Sequence, residues 1–490
     1  MHHGTAVRAA CLALAALSLA ACTSRSGDDA AQEGAATPPR PTEQAEQAEP
    51  EPGADGAGDP YYPDDGNGGY DVTDYHVSIS YNPTSRNLDG NTVVTATATG
   101  ELETYNLDLN GLKVSAVEID GKAAKFDRSG EHELVITPGV PIADGATFAT
   151  RVRYAGVPAS AEEGTLGVNG WQISQSGGAF AAGEPHSATS WFPANDTPRD
   201  KATFTLDARV PDGWSVISNG RESPATKGSD GWTTFHWVEP IRIATYLTTV
   251  GIDKWTFERS TLPGGLPVVS AYAPGAEDKR QVESQLPEII EFLSSKFGPY
   301  PQSAAGGIYI NENIGFSLET QGRPIYASWA ELDVVVHENA HQWYGDSVSV
   351  ESWKDICLNE CFASYAQWLW SEEKNGENLD DLFRQQVARS TDQFWSGKLY
   401  DMGAGNEFTS VYDKGPMALH ALRRQIGDEA FDRVLKEWPA EHKDSNASWP
   451  EFEQFVAKIA GQDLSGFFAA WFHSDKQPAD EYLYPGSLRK

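Results

Sequence analysis

The amino-acid sequence predicts a multidomain α and β protein, in which an all-β domain precedes a mostly α-helical domain with a small β-sheet. The chain has 490 residues, of which 40% are hydrophobic and 11% aromatic. This composition supplies large cores and excludes a wholly disordered chain. Residues 70–256 show the alternation and turn signals of short strands, whereas residues 257–490 place apolar residues at helical spacing. The change near residue 256 is the predicted domain boundary.

The first 21 residues are predicted to be a signal peptide of the lipoprotein type. An apolar run from Ala9 to Ala21 follows Arg8, and it is shorter than the about 20 apolar residues that a membrane span needs. It ends in Leu-Ala-Ala directly before Cys22, which resembles the lipobox of bacterial lipoproteins, where the Cys is acylated. The sequence therefore predicts a lipid anchor at Cys22 on the extracellular face of the bacterial cell membrane. In the alternative interpretation Cys22 is incidental and an ordinary signal peptide directs secretion.

Residues 22–69 are predicted to form a disordered tether. They are rich in Ala, Pro, Gly, Glu and Asp, and Arg25 and Arg40 are their only basic residues. Such a segment buries too little apolar surface to offset the entropy that is lost on ordering. The folded protein is therefore expected to begin near Tyr70.

The first folded domain is expected to contain many short strands. Residues Asp74–Tyr81 alternate between polar and apolar side chains, and residues Thr92–Thr97 are rich in β-branched side chains. Turn signals such as Asp89-Gly90 separate these segments. Residues 70–256 are accordingly predicted to be all-β.

The second folded domain is expected to be mainly helical. Residues Gln281–Phe297 carry apolar side chains at the spacing of an amphipathic helix, and Gly307–Ile314 is strand-like. Further helices are predicted at Leu332–Gly345, Glu360–Trp370, Gly415–Ile426 and Phe452–Ala460.

The net charge argues against a nucleic-acid partner. The chain has 37 Lys and Arg against 70 Asp and Glu, a formal charge of −33. Such a surface repels phosphate backbones. Four cysteines are too few for a disulfide scaffold in a chain of this length.

A His-Glu-x-x-His pattern lies within an apolar, helix-compatible run at residues 334–343. On a helix, His337 and His341 lie at i and i+4 with Cβ atoms about 5–6 Å apart, so both imidazoles can bind one tetrahedral ion. Glu338 would lie close enough to the open coordination position to act on a bound water. Taken alone, the pattern also allows two core histidines and a capping Glu.

A third ligand follows at Glu360, which 18 residues separate from His341. This spacing allows a loop and a second helix to return to the first one. His337, His341 and Glu360 would form a His₂Glu site for one Zn²⁺ per chain, with a position left for water. Zinc lowers the pKa of that water towards about 7, and Glu338 can accept its proton and pass it to a leaving amine.

The segments HENAHQWYGD (337–346) and WKDICLNECFASY (353–365) resemble the gluzincin zinc aminopeptidases, the family of aminopeptidase N and leukotriene hydrolase. The resemblance covers most of the folded chain. Tyr70–Trp255, with the segment 192–198, resembles the saddle-like N-terminal β-domain of the family, and the remainder resembles its thermolysin-like catalytic domain. The resemblance implies peptide substrates with a free N-terminus.

An aminopeptidase must recognise a free α-ammonium, for which a carboxylate near the zinc is the natural partner. The family uses the Glu of a Gly-Ala-Met-Glu-Asn motif, and two segments match it in part. The segment 315–321 lacks the Asn but keeps the spacing from Glu319 to Tyr326. The segment 311–315 keeps Glu312-Asn-x-Gly but breaks that spacing. Glu319 is therefore favoured, and Glu312 is the alternative.

Two further roles are implied by the resemblance. Glu184, eight residues before Phe192, corresponds to a family Glu that contributes to the amine pocket, although the family's upstream Gln is Ala182 here. Tyr412 lies in the segment Tyr-Asp-Lys-Gly, which resembles the family's Tyr-x-Lys-Gly motif, whose Tyr stabilises the oxyanion.

The sequence departs from the family at two positions near the zinc ligands. Gln367 replaces a Glu that commonly orients a zinc histidine, and its amide oxygen could still accept the imidazole N–H. Cys357 and Cys361 bracket Glu360 at i,i+4 spacing, and they could be either a disulfide in an oxidising compartment or two buried thiols.

The predicted function is a surface-anchored zinc aminopeptidase. One alternative is a gluzincin with altered end-recognition, such as an endopeptidase or a hydrolase of another bond. Another is a zinc-bound but inactive surface-binding protein, which would have no need of Glu338 and Tyr412. The chain stops soon after Phe472, which leaves no room for the helical C-terminal domain of many relatives, so the site is expected to be more open.

Overall fold

The computed structural model describes residues 50–164 and 166–489. A β-rich half precedes a helical half that carries a small sheet, which confirms the predicted fold class. In chain order, the strands of the β-rich half are β1 (Tyr70–Asn82), β2 (Asn87–Ala98), β3 (Tyr105–Asp108), β4 (Lys113–Ile119), β5 (Lys122–Ala123), β6 (Lys125–Ser129), β7 (Glu133–Thr137), β8 (Thr147–Gly156), β9 (Ser160–Gly164), β10 (Gly167–Ile173), β11 (Ala179–Ala182), β12 (Ala202–Pro211), β13 (Ser215–Ser218), β14 (Arg221–Lys227), β15 (Trp232–Ile243) and β16 (Val250–Asp253).

The largest sheet has the strand order β14-β15-β12-β1-β2-β8-β4-β5. Because successive side chains of a strand point to opposite faces, β1 buries Val77, Ile79 and Tyr81 on one face. The ring of Tyr81 packs edge-on against Trp171 of β10, with ring centroids 5.0 Å apart. Trp171 belongs to a second sheet with the order β13-β16-β11-β10-β9. Burial of aromatic and aliphatic surface between the two sheets therefore stabilises the β-rich half.

A third, smaller sheet in this half has the order β3-β7-β6. β3 is buried along its whole length, and β7 pairs with it in antiparallel register, so that Asp108 lies opposite Glu133. The hairpin between β6 and β7 carries His132.

The helical half begins with a hairpin of two strands, β17 and β18. The strands of this half are β17 (Thr256–Leu262), β18 (Leu266–Tyr272), β19 (Ile308–Tyr309), β20 (Ile325–Tyr326), β21 (Val348–Val350) and β22 (Ser445–Ala447). Its helices are α1 (Arg280–Glu283), α2 (Leu286–Phe297), α3 (Leu332–Ala340), α4 (Cys357–Asn375), α5 (Leu379–Arg389), α6 (Asp392–Trp395), α7 (Lys414–Ile426), α8 (Asp428–Glu441), α9 (Trp449–Ala460), α10 (Ser465–Trp471) and α11 (Asp480–Leu483).

Two predicted elements differ from the observed ones. The helix expected over Gln281–Phe297 is divided into α1 and α2, because Pro287 lies in the first turn of α2 and cannot donate a helical hydrogen bond to the preceding turn. The strand expected over Gly307–Ile314 is limited to β19, which pairs in parallel with β18 and β20.

Residues 50–69 do not form the predicted tether but pack against the folded chain. Asp59 is 4% exposed, and its carboxylate accepts a hydrogen bond from the backbone N–H of Trp353 at 2.8 Å. The Tyr61 hydroxyl donates to Asp401 at 2.9 Å and accepts from the N–H of Gly403 at 2.7 Å. This part of the prediction is wrong because specific hydrogen bonds, together with the packing of Tyr61 and Tyr62 against the core, order the segment.

The remaining N-terminal predictions lie outside the described residues. These are the signal peptide at 1–21, the acylated Cys22 and the tether up to residue 49. Within the part of the chain that the structure describes, no helix has the length and apolar character to cross a bilayer.

Candidate active site

Two histidines and a glutamate converge where α3 and α4 meet. His337 lies in α3, His341 follows its last residue in helical conformation, and Glu360 lies in the first turn of α4. The Nε2 atoms of His337 and His341 are 3.1 Å apart, and they lie 3.2 and 3.5 Å from Glu360 Oε2. Tetrahedral zinc ligands about 2.0–2.1 Å from the ion lie about 3.4 Å from one another. The three side chains therefore fit zinc.

Hydrogen bonds to the outer side of the imidazoles support this fit. His341 Nδ1 lies 2.9 Å from the carbonyl oxygen of Tyr344, so the Nδ1–H can be donated there while the Nε2 lone pair faces Glu360. Burial lowers the pKa of His337, and its hydrogen bonds to Glu360 and Gln367 oppose that shift. Gln367 also donates to the carbonyl of Asp333 at 2.9 Å. Gln367 thus contacts His337, as the sequence predicts.

The buried carboxyl of Glu338 faces the same space. Glu338 is 6% exposed, and an oxygen of its carboxyl lies within 4.8 Å of ligand atoms of His341 and Glu319. Burial raises the pKa of Glu338 well above its usual range, His341 opposes the shift, and the carboxylates of Glu319 and Glu360 add to it. A carboxyl with a raised pKa accepts a proton more readily than an exposed one.

Two more buried carboxyls form an acidic pair beside the histidines. Glu184 and Glu319 are 1% and 2% exposed, and oxygens of both lie within 4.8 Å of an oxygen of Glu360. One oxygen of each carboxyl accepts no hydrogen bond from the described residues. Burial and the charge of Glu319 raise the pKa of Glu184 well above its usual range. Such a pair requires a cation or a shared proton.

Glu312, the alternative to Glu319, points elsewhere. Its carboxylate accepts a hydrogen bond from the backbone N–H of Gln175 at 2.7 Å, and it does not line the cavity that contains the histidines. Of the two candidates, the structure places only Glu319 in the site.

A cavity of about 250 Å³ joins these groups. Its polar side is formed by the predicted residues Glu184, Glu319, His337, Glu338, His341, Glu360, Gln367 and Tyr412. Its other side carries Leu166, Phe316 and Trp329, whose roles the sequence did not reveal. The indole of Trp329 donates to the carbonyl of Ile314 at 2.7 Å and is 42% exposed at the rim. The site therefore combines buried acids with an apolar surface for a side chain.

Tyr412 lies opposite the carboxylates. Its ring centroid is 5.9 Å from that of His337, and it is 37% exposed at the mouth of the cavity. Desolvation in the cleft and the nearby Glu360 and Glu184 raise the pKa of this phenol well above its usual range. The hydroxyl therefore stays protonated and can donate a hydrogen bond.

The residues after Tyr412 explain how α7 reaches the site. Lys414 is buried, and its ammonium donates to the carbonyl of Gly397 at 2.6 Å. Gly415 approaches α4 so closely that a Cβ there would lie 2.6 Å from the sulfur of Cys361. Cys361 is disulfide-bonded to Cys357, which decides between the two interpretations of this pair. A side chain at position 415 would push α7, and Tyr412 with it, away from Glu360.

Two positioning residues were missed from the sequence. Gln342 donates to the carbonyl of Glu319 at 3.1 Å and accepts from the N–H of Gly322 at 2.6 Å, so it fixes the loop that carries Glu319. Burial raises the pKa of the Glu319 carboxyl, and the Tyr246 hydroxyl lies near enough to that carboxyl to oppose the larger effect of burial. Gln342 directly follows the second zinc histidine, which is a usable signal; Tyr246 has no such signal, because it comes from the β-rich half.

Comparison with known proteins gives consistent matches. The family model described as Peptidase family M1 domain matches residues 320–471, and the model described as Peptidase M1 N-terminal domain matches residues 72–247. "Probable aminopeptidase 2" of Sulfurisphaera tokodaii is 26% identical over 407 residues, which cover 76% of this chain and 50% of the relative. "Aminopeptidase N" of Lactococcus lactis subsp. lactis is 26% identical over 328 residues, which cover 60% of this chain and 38% of the relative. The chain thus spans about half the length, or less, of these curated relatives.

Solved structures cover the chain more fully. An M1 zinc metallopeptidase from Deinococcus radiodurans has a TM-score of 0.77 at 29% identity, over 83% of this chain and 94% of that chain. A mutant M1 zinc metallopeptidase from the same organism, bound to a Tyr-Ser-Ala substrate, has a TM-score of 0.80 at 28% identity. That match covers 86% of this chain and 99% of the other.

Proposed function

The chain belongs to the M1 peptidase family, and from this premise we propose that it is a zinc-dependent aminopeptidase that removes single residues from the free N-terminus of peptides. The observation that carries the proposal is the buried pair Glu184 and Glu319 beside the metal ligands, each with one unpartnered carboxyl oxygen. A substrate ammonium between them would restore both hydrogen bonding and charge balance. The presence of such a pair favours end-recognition over cleavage within a chain.

His337, His341 and Glu360 would hold the metal. Zinc bound there supplies a Lewis acid that polarises a peptide carbonyl and lowers the pKa of a water molecule towards neutrality. The burial of the three ligands, at 9%, 1% and 2% exposure, keeps bulk water away from the reacting groups.

The remaining side chains position the substrate and move its protons. Glu319 and Glu184 bind the ammonium and so fix which peptide bond lies near the metal. Glu338 accepts the proton of the attacking water and delivers it to the leaving amine, for which its raised pKa suits it. The Tyr412 hydroxyl donates a hydrogen bond to the carbonyl oxygen as negative charge develops on it. The products are a free amino acid and a peptide shortened by one residue.

The experiment that tests this function compares an aminoacyl fluorogenic substrate with its N-acetylated twin, each with and without a chelator. We expect cleavage of the free amine only, and loss of cleavage on chelation with recovery after zinc is added back. Equal cleavage of both substrates would overturn end-recognition, and activity that survives complete zinc removal would overturn the metal mechanism.

We also propose that acyl chains on Cys22 anchor the enzyme at the extracellular face of the cell membrane. The support is the Leu-Ala-Ala-Cys sequence at the end of the apolar run. Detergent-phase partitioning of the wild type and of Cys22→Ser tests it, with Cys11→Ser as the matched control. We expect Cys22→Ser alone to move to the aqueous phase; retention of that variant in the detergent phase would contradict the anchor.

A further inference from the structure

A second group of metal-ligand side chains lies in the β-rich half, outside the active site. Asp108 ends β3, Glu133 begins β7, and His132 precedes it in the β6–β7 hairpin. One ligand atom from each of the three lies within 4.8 Å of the others. His132 Nε2 is 3.6 Å from Glu133 Oε1 and 4.0 Å from Asp108 Oδ1. The group therefore offers one nitrogen and several oxygens to a common point.

The strand register places two acids directly against each other. Asp108 and Glu133 are opposite partners in the β3–β7 ladder, and they are 1% and 7% exposed. Like charges at opposite positions of an antiparallel pair destabilise a sheet, and burial strengthens their repulsion. Nothing in the hydrophobic pattern of these strands requires two acids here, so a ligand that compensates their charge is the simplest physical reason for them.

The Glu133 carboxyl is buried without a hydrogen-bond donor. Neither of its oxygens accepts a hydrogen bond from any residue in the described ranges. Only 9% of the side chain is exposed, so water does not replace the missing donors. Burial, and next the carboxylate of Asp108, raise the pKa of Glu133 to about 9. Arg128 is near, but its guanidinium donates to the carbonyl of Leu109. Burial and Asp108 raise the pKa of Glu133 by more than the charge of Arg128 lowers it.

Asp108, by contrast, is held in a fixed orientation. Its Oδ1 accepts from the side-chain amide of Asn67 at 2.9 Å, and its Oδ2 accepts from the N–H of Asp196 at 2.8 Å. Such outer hydrogen bonds are typical of ligating carboxylates, and each oxygen retains a lone pair for a further contact.

The adjoining cavity is acidic and has room for water. It measures about 330 Å³, and Asp108 and His132 line it. The other acids on its wall are Asp64, Asp65, Glu131 and Asp196. The carbonyl oxygen of Asp64 is 2.9 Å from His132 Nε2, and His186, whose pKa is raised to about 9, pairs with Asp65 at 2.7 Å. The carboxylates outnumber the positive groups around this space, which favours a cation within it.

We propose that Asp108, His132 and Glu133 form a binding site for a divalent cation that prefers oxygen ligands and tolerates one imidazole, such as Mn²⁺. Two carboxylates and one imidazole, with space for water beside them, form the oxygen-rich donor set that suits Mn²⁺. The carbonyl of Asp64 lies on the same side, so the ion would also join residues 50–69 to the β-rich half.

The test counts Mn²⁺ ions bound to the zinc-loaded full chain, from the loss of the free-Mn²⁺ resonance signal, with the zinc content measured in the same samples. We expect one Mn²⁺ per chain in addition to zinc, and a rise in Tm on its addition. Glu133→Gln should weaken Mn²⁺ binding at least about tenfold, whereas Asp127→Asn, on the exposed strand β6 and away from the cavity wall, should leave it unchanged. Without Mn²⁺, Glu133→Gln should be at least as stable as the wild type, because it removes the repulsion with Asp108.

Three other outcomes would overturn the proposed site. Binding of no ion beyond zinc would overturn the site and favour a proton shared by Asp108 and Glu133. Equal binding by the Glu133→Gln and Asp127→Asn variants would also overturn it, since the ion would then be held by diffuse surface charge. Displacement of zinc in proportion to the Mn²⁺ bound would overturn it as well. If Glu133→Gln does not fold, His132→Gln serves in its place, with the same loss of binding expected.

Discussion

Replacement of Glu319 by Gln gives the sharpest test of how this protein recognises a substrate. The amide keeps the shape of the side chain, but it removes one of the two negative charges that would face the substrate ammonium. Glu319 is 2% exposed, so water cannot substitute for the lost charge. A hydrogen bond to a charged group contributes about 1.5–3 kcal/mol, and burial favours the upper part of that range. With Glu184 still present, we expect a loss of about 2–3 kcal/mol, which corresponds to about a 30- to 160-fold lower kcat/KM.

The assay for this prediction is kcat/KM for hydrolysis of an aminoacyl fluorogenic substrate by the wild type and by the variant. The N-acetylated twin, which has no ammonium, is the blank for both proteins. Glu312→Gln is the matched control, since its carboxylate is occupied by the N–H of Gln175, and its kcat/KM should stay within about twofold of the wild type. A Glu319→Gln enzyme that keeps its preference for the free amine, or a Glu312→Gln enzyme that loses it, would refute this reasoning.

Three further predictions follow from the same contacts. Glu338→Gln should lower kcat by about 10²–10⁴-fold with little change in KM and an unchanged zinc content, because the variant lacks the proton acceptor but keeps all three ligands; near-normal kcat would exclude Glu338 as the base. Tyr61→Phe should lower kcat about fivefold, since the loop before Tyr412 loses its hydrogen bonds to the hydroxyl, while Tyr62→Phe should change it less; equal effects would exclude loop positioning. The third concerns acid stability. Burial would raise the pKa of Asp380, but hydrogen bonds from Arg424, Ser487 and His420 outweigh it and lower that pKa to about 2. Its stabilisation is therefore present above the ordinary pKa of 3.8 and is lost as the pH falls towards 2. In urea unfolding, Asp380→Asn should be less stable than the wild type at pH 7, and the gap should narrow below pH 4; a gap that is constant with pH would contradict the assignment.

The sequence predicted the metal site well because its information is local. His337 and His341 are brought together by helix periodicity alone, and the position of Glu360 follows once α4 returns to α3. The choice between Glu319 and Glu312 could not be made in the same way. Both lie in an irregular stretch where no periodicity fixes the direction of a side chain, and it is the N–H of Gln175, from the β-rich half, that removes Glu312 from consideration.

Features that depend on strand register or on distant hydrogen bonds escaped prediction. The contact between Asp108 and Glu133 exists only because β3 and β7 pair with one particular alignment. Tyr246 reaches Glu319 across the junction of the two halves. Residues 50–69 have the Gly-, Pro- and Asp-rich composition of a linker, and composition cannot show that Asp59 would find the N–H of Trp353. Tyr61 and Tyr62 were the residues in that segment that could have indicated packing against the folded chain.

The packed segment at residues 50–69 limits how far the N-terminus of this protein can be truncated, and how its two halves can be exchanged with those of relatives. A chain that starts at Tyr70 would keep every strand and helix named above, and yet it would leave the Trp353 N–H, the Asp401 carboxylate and the Asp108 carboxylate without the partners described here. Because this truncation removes hydrogen bonds from both halves, neither half is expected to be exchanged easily for the corresponding half of a relative. A recombinant form that keeps these hydrogen bonds therefore starts before Pro50, and an N-terminal purification tag should be attached upstream of that residue.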